Sequence, residues 1–295
     1  SRTPLHELRR KLTTIMIGHG YLETINYSFI NPAHLDRIGV PADHIWRKTV
    51  TIKNPLSEEQ GILRTTVIPS LLELAVWNIN RRNKDLQLFE LGKVYLAKDN
   101  LNQQPDELWT LGIMCTGSQK KSWLAKEVKY DFYHLKGIVE DILDKCRIRD
   151  IRFIAASDVP GLHPGRTARI YSGDVELGYL GEVHPQVAAK YGAEQKIQIA
   201  SLDVASLLKQ VQPLNYKPLS KYPEITRDLA VVVPATTLAA EVMATIRECA
   251  GQLLKDVSLF DVYQGTQIAA GQKSLAFSLT WQSEERTLKD EEINE

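Results

Sequence analysis

The chain is 295 residues long, 43% hydrophobic and 24% charged, the profile of a globular protein with room for about two domains. Its formal net charge is zero, which excludes a chain that captures a polyanion by bulk charge alone. The charge is uneven all the same: residues 221–295 carry 7 Lys+Arg against 12 Asp+Glu, and the preceding 220 carry 29 against 24.

Residues 5–17 read as a helix. Leu5, Leu8, Leu12, Ile15 and Met16 form its apolar face, and Arg9, Arg10 and Lys11 a basic, solvated one. Tyr21–Ile30 alternates loosely like a strand, and Arg47–Lys53 reads as another, broken by Asn54-Pro55. Thr65–Asn80 reads as a helix with Pro69 tolerated in its first turn. Leu86–Leu96 is a strand carrying Glu90 and Lys93, with Glu90 expected on its wetter face. Trp109–Thr116 is a further apolar run, Asp131–Leu143 an amphipathic helix and Ile151–Ala156 a strand. Gly161–Thr167, dense in Gly, Pro and His, reads as a turn. Short strands at 168–172 and 177–183 follow, then a helix from His184-Pro185 to Tyr191, a strand at 197–202 and a helical turn at 204–210.

Val211–Ser220 has two prolines and no periodicity. It divides the chain into a domain at 1–212, a linker at 213–219 and a domain at 220–295. The second domain reads as strand, helix, strand, strand, then the start of a second helix from Thr287. Thr237 is the expected helix cap, and Gly251 the left-handed residue at its end. Along 273–288, Leu275, Phe277, Leu279 and Trp281 point one way. Ser274, Ala276, Ser278 and Thr280 point the other, leaving a small, polar face open. The fold class is therefore α+β, ending in the beginning of a ferredoxin-like β-α-β-β-α-β unit.

Three scattered cysteines without a CxxC pair point to a reduced, cytoplasmic setting rather than a disulfide framework or zinc ribbon. No apolar run reaches about 18 residues, so no membrane span is expected. The chain opens on Ser and stops inside the predicted last helix, which suggests a piece of a longer protein cut at both ends. Phosphate-binding glycine loops are absent, and no HxxxH pair suggests a metal site. His163, in the turn His163-Pro-Gly-Arg166, is the best lone candidate for chemistry, although a turn histidine bonding local backbone is the commoner arrangement.

Several stretches together resemble one family. Tyr222–Val233, Leu259–Gly265, Lys273–Phe277 and Arg286–Glu292 are similar to the ferredoxin-fold anticodon-binding domain. Asn54–Glu59, Leu63–Thr65, Pro69–Leu72, Phe89–Tyr95, His163–Arg166 and Gly181–Pro185 are similar to the class II synthetase-like region of the bacterial phenylalanine–tRNA ligase beta-subunit family. The resemblance implies a class II-like antiparallel sheet with helices, followed by the ferredoxin-like domain. It implies an enzyme of two alpha and two beta subunits that charges tRNA(Phe) in the cytoplasm through an adenylate, with ATP and Mg2+ serving the alpha subunit. The beta-subunit domain is implied to be a catalytically silent copy packed on alpha, with neither cofactor bound by this chain. The cationic Gly-x-Gly-x-x-Arg stretch of catalytic class II domains is missing; the corresponding region reads Leu177–His184, without charges to offset a triphosphate. For tRNA the resemblance implies Tyr263 stacking on an anticodon base and Asp261 and Ser274 at base edges. Arg227, Lys273 and Arg286 are left for phosphates, Arg286 competing with a salt bridge to Glu284, Asp290 or another neighbouring carboxylate. Arg9 and Arg10 are the expected subunit contact. The alternatives are a self-sufficient single-chain synthetase and a pure assembly scaffold.

Overall fold

A computed structural model describes residues 3–293 apart from 56, 101–102, 120–121 and 217. Leu56 of the 54–59 motif and the last two residues of the helix expected from Thr287 lie outside the described residues. The chain forms two units, one up to Leu214 and one from Asn215.

The first unit runs α1 (Pro4–Gly18), β1 (Leu22–Glu23), β2 (Phe29–Ile30), α2 (Ala33–Arg37), β3 (Ile62–Leu63), α3 (Ile68–Ile79), β4 (Leu86–Leu96), β5 (Asp106–Thr116), β6 (Ser118–Gln119), β7 (Val128–Lys129), α4 (Phe132–Lys145), β8 (Ile151–Ala155), β9 (Leu162–Ser172), β10 (Val175–Val183), α5 (Pro185–Tyr191), β11 (Ile197–Asp203) and α6 (Val204–Gln210). Seven strands make one sheet in the order β1-β4-β5-β11-β10-β9-β8. Every neighbouring pair is antiparallel except β1 with β4. Strand alternation gives the sheet two apolar faces. Phe89, Leu111, Ile113 and Ile170 face α1, α4 and α6. Leu88, Met114, Tyr179 and Ile199 face α3, α5 and the segment Ile30–Val40. Side chains close the helix starts: Thr3, Asp131 and Asp203 accept the N–H groups of His6, His134 and Ser206.

Several expectations are corrected. Residues 47–53 do not form a strand: Ile45–Arg47 is a short 3-10 turn, and only Thr51 pairs, with Ile62. The stretch 21–30 splits into β1 and β2, which join different sheets. Gly161–Thr167 is not simply a turn, because β9 begins at Leu162. Leu162 pairs with Val183 and Thr167 with Gly181, so His163–Arg166 bulges out opposite Glu182 alone. The basic face of α1 is not wholly solvated. The Arg9 guanidinium lies 3.3 Å from the Trp109 ring centroid, and burial pulls its pKa down.

Glu90 lies on no wet face. It is 3% exposed and Arg64 is 1% exposed. Arg64 Nη2 donates to Glu90 Oε1 at 2.7 Å and Nη1 to Oε2 at 3.0 Å. Arg64 Nε donates to the Lys93 carbonyl at 2.9 Å, and Asn26 Nδ2 to Glu90 Oε2 at 2.8 Å. Gly92 lets the fork pass: a Cβ there would stand 2.3 Å from Arg64 Nη2.

The second unit runs β12 (Ile225–Pro234), α7 (Ala239–Cys249), β13 (Leu254–Tyr263) and β14 (Gln272–Trp281). The strands order β12-β14-β13, all antiparallel. As the alternation predicts, Leu275, Phe277, Leu279 and Trp281 are buried, packed with Ile246 of α7, Val257 and Leu288. Gly251 takes the expected left-handed conformation, φ 75°. Thr237 is not the cap: α7 begins after Leu238, whose N–H donates to Glu241 Oε2 at 3.1 Å. In place of an α-helix from Thr287, the described residues hold a 3-10 turn at Asp290–Glu292.

Removing one partner of a buried, hydrogen-bonded ion pair leaves the other charge uncompensated. Arg64→Ala is therefore expected to lower the stability of the first unit by about 3–5 kcal/mol, measured by urea unfolding. A loss under about 1 kcal/mol, the size of an exposed pair, would refute the structural role.

Candidate functional site

The candidate site is built on the face of β14 turned away from α7. Val257 of β13 is buried opposite Leu279. Strict alternation from Val257 would carry Asp261 and Tyr263 onto the same buried side. A bulge prevents this. Leu259 pairs with Phe277, and the next pair is Asp261 with Ala276, so Phe260 is an extra residue. The phase changes by one, and Asp261 and Tyr263 come up beside Ala276 and Ser274 on the open face. Three residues expected to act together are thus brought together. Tyr263 is 38% exposed, and its ring rests on the turn that follows. A Cβ at Gly265 would stand 2.4 Å from the Tyr263 hydroxyl oxygen.

The expected cations do not join them. Arg227 pairs with Leu279 and Lys273 with Val233, positions on the α7 side of the sheet. Arg227 Nη2 also meets Asp290 at 2.6 Å. Arg286 lies beyond the strand in a two-pronged bond to Glu292, at 2.8 and 2.5 Å, and not to Glu284 or Asp290. Lys273 makes no ion pair among the described residues. The open face carries Asp228, Asp256 and Asp261 among the hydroxyls of Thr226, Ser258, Ser274, Ser278 and Thr280. No Lys or Arg holds a regular position on it; Lys255, at a second bulge, donates to Gln282. Val232, opposite Ser274, and Phe260 are exposed apolar members that sequence reasoning missed. A signal for the bulge was present: apolar residues step from 257 and 259 to 260 and 262.

In the first unit His163 makes the local bond expected of a turn histidine: its Nδ1 accepts the Gly165 N–H at 3.0 Å. Its ring stacks on His184 at 5.8 Å, and Arg166 binds the buried Glu182 at 2.5 Å. Of the two arginines expected at a subunit contact, Arg10 is exposed, whereas Arg9 is half-buried on Trp109.

Residues 1–204 match the family described as phenylalanyl tRNA synthetase beta chain CLM domain, and residues 220–295 the ferredoxin-fold anticodon binding domain. The chain belongs to the phenylalanyl-tRNA synthetase beta-chain family. It is 45% identical to the phenylalanine–tRNA ligase beta subunit of Moorella thermoacetica over 277 residues, 93% of this chain and 34% of that one. With the beta subunit of Carboxydothermus hydrogenoformans it shares 40% identity over 294 residues, 99% of this chain and 36% of that one. The chain thus spans about a third of the length of the curated relatives it matches. Pyrrolysyl-tRNA synthetase from Desulfitobacterium hafniense has a similar fold: TM-score 0.55 at 20% identity, covering 69% of this chain and 68% of that one. In phenylalanyl-tRNA synthetase beta-chain terms, the open face of β14 belongs to the anticodon-binding domain and the Arg64–Glu90 pair to the CLM domain.

The Arg286–Glu292 pair can be tested by titration. Arg286, with the backbone N–H of Lys289, pulls the Glu292 carboxyl from the ordinary 4.5 to about 2. A depressed acid contributes stability that is complete above its unfolded value and is lost as pH falls through the folded one. NMR should place the Glu292 midpoint near 2, and Arg286→Ala should return it towards 4.5. An unmoved midpoint in the variant would show that Arg286 is free for another partner.

Proposed function

We propose that this chain, its domains at 1–212 and 220–295, is a non-catalytic part of phenylalanine–tRNA ligase that packs on the alpha subunit and grips the anticodon of tRNA(Phe). The observation that carries the reading is the convergence of Tyr263, Asp261 and Ser274 on one exposed sheet face. A splayed base stacks on the Tyr263 ring, and its edge meets the two polar neighbours. A carboxylate only accepts hydrogen bonds, so Asp261 selects a base edge that presents amino or imino N–H groups, while the Ser274 hydroxyl serves either sense. Phosphate contacts fall first to Lys273, since Arg227 and Arg286 must release a carboxylate to serve.

The assembled enzyme is proposed to contain two alpha and two beta subunits and to work in the cytoplasm with ATP and Mg2+. Neither is assigned to this chain. Among the described residues no group of three or more His, Cys, Asp or Glu side chains is gathered in a way that could hold a metal ion. No helix among the described residues is long and apolar enough to cross a membrane. The basic face of α1, through Arg10, is the proposed contact with alpha. The acidic open face favours one alternative, that the second unit serves only assembly, and one experiment separates the two.

Stacking on a single aromatic contributes about 1–3 kcal/mol per base. Tyr263→Ala in the assembled enzyme should therefore weaken tRNA(Phe) binding roughly five- to 150-fold, with Tyr263→Phe close to wild type. Unchanged tRNA affinity in Tyr263→Ala supports the assembly-only reading instead. Arg10→Glu should weaken association with alpha in sedimentation experiments; intact assembly removes α1 from the interface.

A further inference from the structure

A short hairpin leads from the sheet of the first unit into α4. Its strands β6 and β7 pair Ser118 with Lys129 and Gln119 with Val128. At the tip, the Ser122 N–H donates to the Ala125 carbonyl at 2.9 Å. The Ser122 hydroxyl oxygen accepts the N–H groups of Leu124 and Ala125, at 3.2 and 3.0 Å. The turn is thus held by its own bonds, and it presents two large apolar side chains to solvent, Trp123 and Leu124. At 96%, Trp123 is the most exposed large apolar side chain among the described residues.

The charge around this ring is one-sided. Residues 118–129 carry four lysines against Glu127 alone. The carboxylates at the hairpin are taken up within the chain: Glu127 accepts the Ser118 hydroxyl at 2.8 Å, Asp85 the Ser118 N–H at 3.0 Å, and Asp131 caps α4. Lys126 and Lys129 are exposed and make no ion pair among the described residues. Four residues beyond Lys129, in the first turn of α4, Tyr133 is a second exposed ring. Free ammonium groups suit an anion, but a lone phosphate or carboxylate has no use for a ring. The core of a protein–protein interface is poor in lysine. Single-stranded nucleic acid uses both features, a phosphate at every nucleotide and base faces that stack on aromatic side chains. The strand must be unpaired, because bases inside a duplex keep their faces against their neighbours.

We infer that the β6–β7 hairpin is a second RNA contact, in which Trp123 stacks on an unpaired base of the tRNA outside the anticodon and Lys126 and Lys129 hold the neighbouring phosphates. The RNA is the one supplied by the functional reading above, so the inference rests on that reading. A lone ring accepts any base, and a lysine ammonium is a point charge that reads no sequence. The hairpin therefore adds affinity without choosing among bases, and it gives the first unit an RNA-binding share of its own.

The test is tRNA(Phe) binding by the assembled enzyme over a salt series. Trp123→Ala should weaken binding roughly five- to 150-fold, and Trp123→Phe should recover most of the loss. Lys126→Ala combined with Lys129→Ala should flatten the plot of log affinity against log salt by about 1.4, about 0.7 for each phosphate contact. Urea unfolding and association with alpha should be unchanged in Trp123→Ala, since its side chain is almost wholly in solvent. If Trp123→Ala and the double alanine variant keep wild-type affinity and slope while Tyr263→Ala weakens binding, the hairpin inference fails and the functional reading stands. A Trp123→Ala chain that loses association with alpha makes the tip a protein contact and overturns the inference as well. If the wild-type enzyme does not bind tRNA(Phe), the functional reading fails and takes the hairpin inference with it.

Discussion

One buried ion pair organises the first unit. Arg64 follows β3 and precedes α3, Glu90 lies in the middle of β4, and Asn26 comes from the segment between β1 and β2. The side chains of all three meet on the Glu90 carboxylate. The Arg64 backbone makes the same connection, donating to Ser28 and accepting from Tyr95, both at 2.9 Å. Arginine suits the position better than lysine because its planar fork serves two carboxylate oxygens and a carbonyl at once. Only a glycine at 92 leaves room for that fork. The pair reaches the surface as well, since Asn26, one wall of a cleft beside α3, has its amide committed to Glu90. The lining of an exposed surface is thereby fixed by a charge the solvent never meets.

In the second unit the corresponding constraint is a single extra residue. The side-chain period of a strand is two, so a shift of one exchanges its faces. Phe260 makes that exchange partway along β13. Upstream of it Val257 belongs to the core; downstream, Asp261 and Tyr263 belong to the surface. The face they join is acidic, so nucleic acid would be held there by ring stacking and base-edge hydrogen bonds rather than by a positive field. Two cations elsewhere in the unit, Arg227 and Arg286, are held by carboxylates of the residues after β14, Asp290 and Glu292.

The sequence was legible wherever periodicity and burial agreed. The limits of β4 match the apolar run that announced it, and α1, α3 and α4 begin and end within a few residues of their signals. The core stripe of β14 is the alternation itself. Legibility failed where a distant partner decided the outcome. Glu90 looked like a surface carboxylate because the arginine that permits its burial lies 26 residues away. Residues 47–53 have strand-like composition but pair at Thr51 alone. Within the candidate site, alternation in β14 placed Ser274 correctly. The same alternation puts Lys273 on the other face, with Leu275, whereas the arrival of Tyr263 beside Ser274 and the placing of Arg227 opposite Leu279 follow from the β13 bulge and the cross-strand register.

The Tyr263 ring leaning on Gly265 has a kinetic meaning. A tyrosine on a mobile tip must lose rotamer freedom each time a ligand arrives, and that loss weakens every encounter. Here the hydroxyl end of the ring already lies against Gly265 of its own turn. If a base stacks there as proposed, part of the ordering would be absorbed into folding, and the ligand would meet a preformed surface. Rigidity of this kind acts chiefly on how long a complex survives rather than on how often it forms. A glycine with no side chain of its own would in this way set the residence time of whatever stacks on its neighbour.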